Sequence, residues 1–106
     1  MSPDPRHIVF LKLKEDVDQA TIKHLFGQLS ALKELVAGVS EYYAGENVSV
    51  ETDLIRGNHH IFWFDFVDEH VWNTYLLDNK HQAIGAQIVK HTEGGIDGVT
   101  VCDIDV

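Results

Sequence analysis

Seven histidines stand in this 106-residue chain, and three fall where a side chain that changes charge near neutrality could serve a pocket. His60 opens the run His60-Ile61-Phe62-Trp63-Phe64-Asp65-Phe66. In a strand it shares the face of Phe62, Phe64 and Phe66, as either a pocket wall or a capped core residue. His7 has the parity of Val9, Leu11 and Leu13. His81 heads a stripe with Ile84, Ile88 and His91 at three- and four-residue steps, which turns it inward on a helix. His24, His59 and His70 lie off these faces and read as solvated. Cys102 is the only cysteine, so there is no internal disulfide; within an apolar run it reads as a small core residue. No Cys/His spacing fits zinc. Glu46, Glu51 and Asp53 form an acidic edge that reads as solvent-facing rather than as a magnesium site, so no metal is expected.

The elements that must position these residues follow from hydrophobic periodicity. Residues 1–5 carry two prolines and read as frayed. Arg6–Lys14 read as a strand with a continuous apolar centre. Asp16 or Asp18 caps a helix whose stripe is Ile22, Leu25, Phe26, Leu29, Leu32, Leu35 and Val36, and Gly38 ends it as a left-handed cap. Val39–Ala44 read as a second strand, Gly45-Glu46-Asn47 as a bend, and Val48–Ile55 as an irregular extension of that strand. Asn58–Val67 contain the third strand, whose unbroken apolar run implies cover on both faces. Asp68 caps a short helix carrying Val71, Trp72, Tyr75 and Leu76. Asp78-Asn79 interrupts it, and Asn79 with Gln82 resembles a capping box for the next helix. Glu93-Gly94-Gly95 stops that helix, and Ile96–Val106 read as the last strand, centred on Val99, Val101 and Cys102.

The order β-α-β-β-α(α)-β over one domain, residues 1–106, predicts a ferredoxin-like α+β fold: a four-stranded antiparallel sheet with helices on one face. The first and third strands are nevertheless apolar on both faces. Ile8 with Phe10 and Ile61 with Trp63 would leave a large patch bare, and a second copy packed sheet to sheet is the simplest cover. Lys12 and Asp65 share that face and are expected to pair at its edge. A net charge of −9 argues against nucleic acid and anionic membrane surfaces as partners. No apolar stretch reaches membrane-spanning length, and residues 1–6 lack a signal-peptide pattern, so a cytoplasmic protein is expected.

Taken in order, His7-Ile8-Val9-Phe10-Leu11-Lys12-Leu13-Lys14, Gly38-Val39, Gly45-Glu46-Asn47-Val48-Ser49-Val50-Glu51, His60 to Phe66 and the segment Tyr75 to His81 resemble the stress-responsive dimeric α/β-barrel domain family, often called Dabb. The resemblance covers nearly the whole chain and implies that two sheets pair as a dimeric α/β barrel. A plant polyketide cyclase of that family closes a linear thioester by aldol chemistry without a cofactor, using a tyrosine and a histidine six residues later. Tyr75 and His81 match that spacing and are the expected catalytic pair. The break at Asp78-Asn79 removes the objection that six residues on one helix would part them. Two further pocket histidines of the cyclase match His7 and His60, which with Phe62 and Phe64 are the expected substrate contacts. A neutral histidine would take a proton from carbon beside a carbonyl, and the tyrosine would donate to the oxygen as it becomes negative. The family often carries a histidine–proline pair just before the final histidine, where this chain has Asn79-Lys80. The resemblance thus implies a small apolar or aromatic ligand and no cofactor. Its alternatives are a non-catalytic stress-related binding or structural dimer and a cofactor-free monooxygenase.

Overall fold

A computed structural model of the protein describes residues 4–106, so residues 1–3 of the segment read as frayed lie outside the described residues. Its elements are β1 (Pro5–Leu11), α1 (Gln19–Leu35), β2 (Val39–Glu46), α2 (Thr52–Ile55), β3 (His60–Phe66), α3 (Glu69–Leu77), α4 (Asn79–Lys90), a 3₁₀ turn (Gly95–Gly98) and β4 (Val99–Asp105). The strands form one sheet in the order β2-β3-β1-β4, with each neighbouring pair antiparallel. This is the ferredoxin-like α+β fold. Among the described residues no helix is long and apolar enough to cross a membrane.

Strand parity divides the sheet into two unlike faces. On one, His7, Val9 and Leu11 of β1 and Phe62, Phe64 and Phe66 of β3 are buried beneath Leu25, Leu29 and Leu32 of α1, Tyr75 of α3, and Ile84 and Ile88 of α4. α1 and α3 open on side-chain caps: Asp18 accepts from the Thr21 N–H at 2.8 Å and Asp68 from the Val71 N–H at 2.9 Å. On the other face Ile8, Phe10, Ile61 and Trp63 are only half-buried, and Tyr43 and Ile104 are exposed. Among the described residues no helix covers that side.

Several expectations are corrected. Pro5 is the first residue of β1, facing Asp105, a position where its missing N–H breaks no ladder interior. Val48–Ile55 do not extend β2. Asn47 Oδ1 accepts from Ser49 N and Ser49 Oγ from Glu51 N; these local bonds turn the chain into the single-turn α2 and leave Val48 and Val50 exposed. Gly38 is left-handed, with φ 91°, but α1 already ends at Val36, whose N–H donates to Leu32 O. At Gly38 a Cβ would sit 2.6 Å from Val71, so the glycine also serves close packing. Lys12 does not pair with Asp65. The register sets Arg6 opposite Asp65, and the two form a fork at 2.7 and 3.0 Å with the guanidinium 5.3 Å over the Trp63 ring. Cys102 is exposed rather than in the core, because β4 is an edge strand and Cys102, opposite Ile8, lies on the helix-free face.

The buried layer sets the stability. Leu32 has no exposed surface, so Leu32→Ala is expected to destabilise the protein by about 2–5 kcal/mol. Urea unfolding followed by circular dichroism measures it; a loss under about 1 kcal/mol would contradict the packing of α1 against the sheet.

Candidate active site

The break between α3 and α4 is made by one residue. Asp78 has extended backbone angles, φ −67° and ψ 130°, and its N–H donates to Tyr75 O at 3.1 Å, closing α3. Its carboxylate Oδ1 accepts from Lys80 N at 2.9 Å and His81 N at 3.1 Å, opening α4. The cap is therefore Asp78 and not Asn79; Gln82 donates instead to Leu76 O at 3.3 Å.

This turn stacks the two expected catalytic side chains. The Tyr75 and His81 rings lie 4.0 Å apart between centroids at an interplanar angle of 33°. Tyr75 is completely buried, with Phe64 and Phe66 rings 5.0 and 5.1 Å away. Its hydroxyl and the Nδ1 of His81 are both buried with no hydrogen-bond partner among the described residues. Leaving such a group unpaired costs about 1–3 kcal/mol, so each calls for an explanation. Burial drives the Tyr75 hydroxyl well above the usual tyrosine range, and it keeps its proton. Burial, with an unfavourable electrostatic interaction with nearby His7, holds His81 below the ordinary histidine value; the carbonyls of Leu76 and Tyr75 and the carboxylate of Asp78 pull the other way. Near neutral pH the pair is thus a proton acceptor beside a hydrogen-bond donor.

His81 and His7 both line a cavity of about 240 Å³ between the helices and the sheet. Its other walls include Leu29 of α1, Phe62 of β3, Leu76 of α3 and Val101 of β4. His7 is buried, and its Nδ1 lies 2.6 Å from Asp103 Oδ1. A carboxylate only accepts, so this bond puts a ring proton on Nδ1, and in the neutral tautomer Nε2 is then the acceptor.

The remaining candidates are divided. Phe62 is at the cavity wall. Phe64 lies behind it, fully buried among Tyr42, Phe62, Phe66 and Tyr75, and supports rather than lines. His60 is not brought to the other two histidines. It lines a separate hollow of about 260 Å³ with Phe26, Lys23 and Glu46, its ring 6.0 Å from that of Phe26. Burial lowers the His60 pKa as well, against the pull of Glu46. Asp103 and Gly85 were not singled out by sequence, and Val99 and Val101 only as the apolar centre of the last strand. The signal for Asp103 was parity, but it needs the register that sets His7 opposite Asp103.

Residues 6–106 match the family described as stress responsive A/B barrel domain. No curated protein gives a significant match. Among solved structures, the chain is similar to a dimeric ferredoxin-like protein of unknown function from Jannaschia sp. CCS1. The two are 24% identical with a TM-score of 0.87, over 97% of this chain and 99% of that one. An Arabidopsis thaliana protein is 22% identical with a TM-score of 0.85, over 96% and 94% of the two chains. The hydroxynitrile lyase of Passiflora edulis is 15% identical with a TM-score of 0.85, over 100% and 95%.

The lowered His81 pKa predicts a pH dependence. In the unfolded chain the ring titrates near 6.5, about the free value, whereas the fold favours its neutral form. The contribution of the neutral ring is therefore complete above about pH 6.5 and is lost as pH falls from there through the lowered folded value. An NMR titration of the His81 ring should give a midpoint below 6.5, and His81→Gln should flatten the acid slope of stability. A midpoint at or above 6.5 would overturn the burial-driven lowering.

Proposed function

The chain belongs to the stress responsive A/B barrel domain family, and we propose that it acts as a homodimer whose subunits each bind a small, mainly apolar keto compound and rearrange it by cofactor-independent acid–base chemistry. The observation that carries this reading is the Tyr75–His81 ring pair, each with an unpartnered buried polar atom, in which His81 lines one apolar-walled cavity with His7 and Tyr75 packs against His81 outside that lining. That a hydroxynitrile lyase shares this fold supports its use as a scaffold for such chemistry.

The reaction is an aldol-type closure. A ring nitrogen of neutral His81 takes a proton from carbon next to the ligand carbonyl. The C–H electron pair moves through the new carbon–carbon double bond onto the oxygen, forming an enolate. The Tyr75 hydroxyl donates to that oxygen, in a site where the low dielectric strengthens the bond. The enolate carbon then attacks a second carbonyl of the same molecule, making the carbon–carbon bond, and His81 returns its proton to the resulting alkoxide. His7, oriented by Asp103, offers Nε2 to a ligand hydroxyl, and Phe62 packs against its apolar part.

The homodimer reading rests on the helix-free sheet face, whose half-buried Ile8, Phe10, Ile61 and Trp63 lie beside exposed Tyr43 and Ile104. Packing this face on its own copy would bury apolar strands on both sides.

Two measurements test the reading. With β-keto thioesters as substrates, Tyr75→Phe should lower turnover about 10²–10³-fold and His81→Gln about 10²–10⁴-fold, both variants remaining folded. Unchanged turnover in either removes its assigned role. In sedimentation velocity the wild type should run at twice the 12.0 kDa chain mass, and Phe10→Glu should shift it to one copy. A folded wild-type monomer at micromolar concentration would overturn the sheet-to-sheet dimer.

A further inference from the structure

Helix α4 carries a glycine for which the backbone has no use. Gly85 lies well inside Asn79–Lys90, where glycine lowers helix stability relative to alanine. It is not among the residues with positive φ. A Cβ built on it would meet nothing within 4 Å, so close packing does not demand it either. What sets Gly85 apart is its position. It is half-buried and lines the same cavity of about 240 Å³ as His81 and His7. On an α-helix, residues four apart sit one above the other, so Gly85 lies directly along the helix from His81 on the inward face. Gly27 of α1 makes the contrast: a Cβ there also meets nothing within 4 Å, but Gly27 is exposed and that space is solvent.

We propose that Gly85 is a specificity-determining residue, its missing side chain leaving room beside His81 for the apolar tail or ring of the ligand. A larger residue at this position would shorten the ligand the cavity accepts. The inference rests on the reading of this cavity as the ligand site.

The probe is a series of 4-alkylphenols, from phenol to 4-propylphenol. Binding is followed by the NMR shift of the His81 ring in wild type, Gly85→Ala, Gly85→Val and Gly27→Ala. Both alanine variants should raise the thermal midpoint, since each removes a glycine from a helix interior without a clash. Gly85→Ala and Gly85→Val should bind progressively more weakly as the alkyl chain grows, with 4-propylphenol losing about tenfold or more, while Gly27→Ala follows the wild type. Gly85→Ala keeps the test decisive if the β-branched valine weakens the helix. Wild-type binding together with affinities in both Gly85 variants that do not depend on chain length would overturn this inference alone. No phenol shift at His81 in the wild type would overturn the ligand-site reading and this inference with it.

Discussion

Asp78 holds the two short helices at the angle on which the candidate site depends. On one straight helix, six residues advance about 240° beyond a full turn and roughly 9 Å along the axis, so Tyr75 and His81 would face different sides. The break replaces that geometry with a stack of rings at 4.0 Å. The same carboxylate satisfies two N–H groups that a helix start leaves unpaired, so the turn holds without help from a distant element. Because Asp78 N–H also closes α3 on Tyr75 O, the residue is bonded to both sides of the pair it positions.

The sheet supplies the second constraint. β1 and β3 occupy the centre of the order β2-β3-β1-β4, and their alternate residues must serve two environments. The helix side receives His7, Val9, Leu11 and Phe62, which line the site, and Phe64 and Phe66, which are buried behind it. The other side receives Ile8, Phe10, Ile61 and Trp63, with the Arg6–Asp65 fork among them. Asp65 is only 8% exposed, and a bidentate partner one strand away is what makes a carboxylate tolerable beside aromatic rings. A one-residue slip between β1 and β3 would exchange these faces and move His7 away from the cavity, so the fork pins register as well as charge.

Much of this was legible in the sequence, and what was missed has a common cause. Periodicity located the four strands, α1, α3 and α4, because each carries an apolar repeat strong enough to outweigh local alternatives. The Val48–Ile55 segment misled, since its alternation is weak and two side-chain bonds from Asn47 and Ser49 decide its path. Parity put His60 on the same face as Phe62, which is where it lies, yet a shared face does not mean a shared pocket: two residues along β3, Phe62 already borders a different cavity. Asp103 went unread, and Cys102 was read into the core, for want of the β1–β4 register. That register is a long-range fact set by which edge β4 joins, and no local pattern in Val99–Asp105 encodes it.

Where a chain is otherwise consistent from capping to core, departures that cost stability tend to mark function. Three such departures in this protein lie on or beside α4, although Gln28 Oε1, His60 Nδ1, Trp63 Nε1 and Trp72 Nε1 are likewise buried without partners among the described residues. The Tyr75 hydroxyl is buried without a partner, the His81 Nδ1 likewise, and Gly85 weakens the helix that carries His81. Each has an easy local remedy: phenylalanine for the tyrosine, an apolar residue for the histidine, alanine for the glycine. A core shaped only by packing would favour all three. His81 and Gly85 border one cavity and the Tyr75 ring packs against His81 outside its lining, so the proposed ligand site draws on three neighbouring departures from what packing alone would favour.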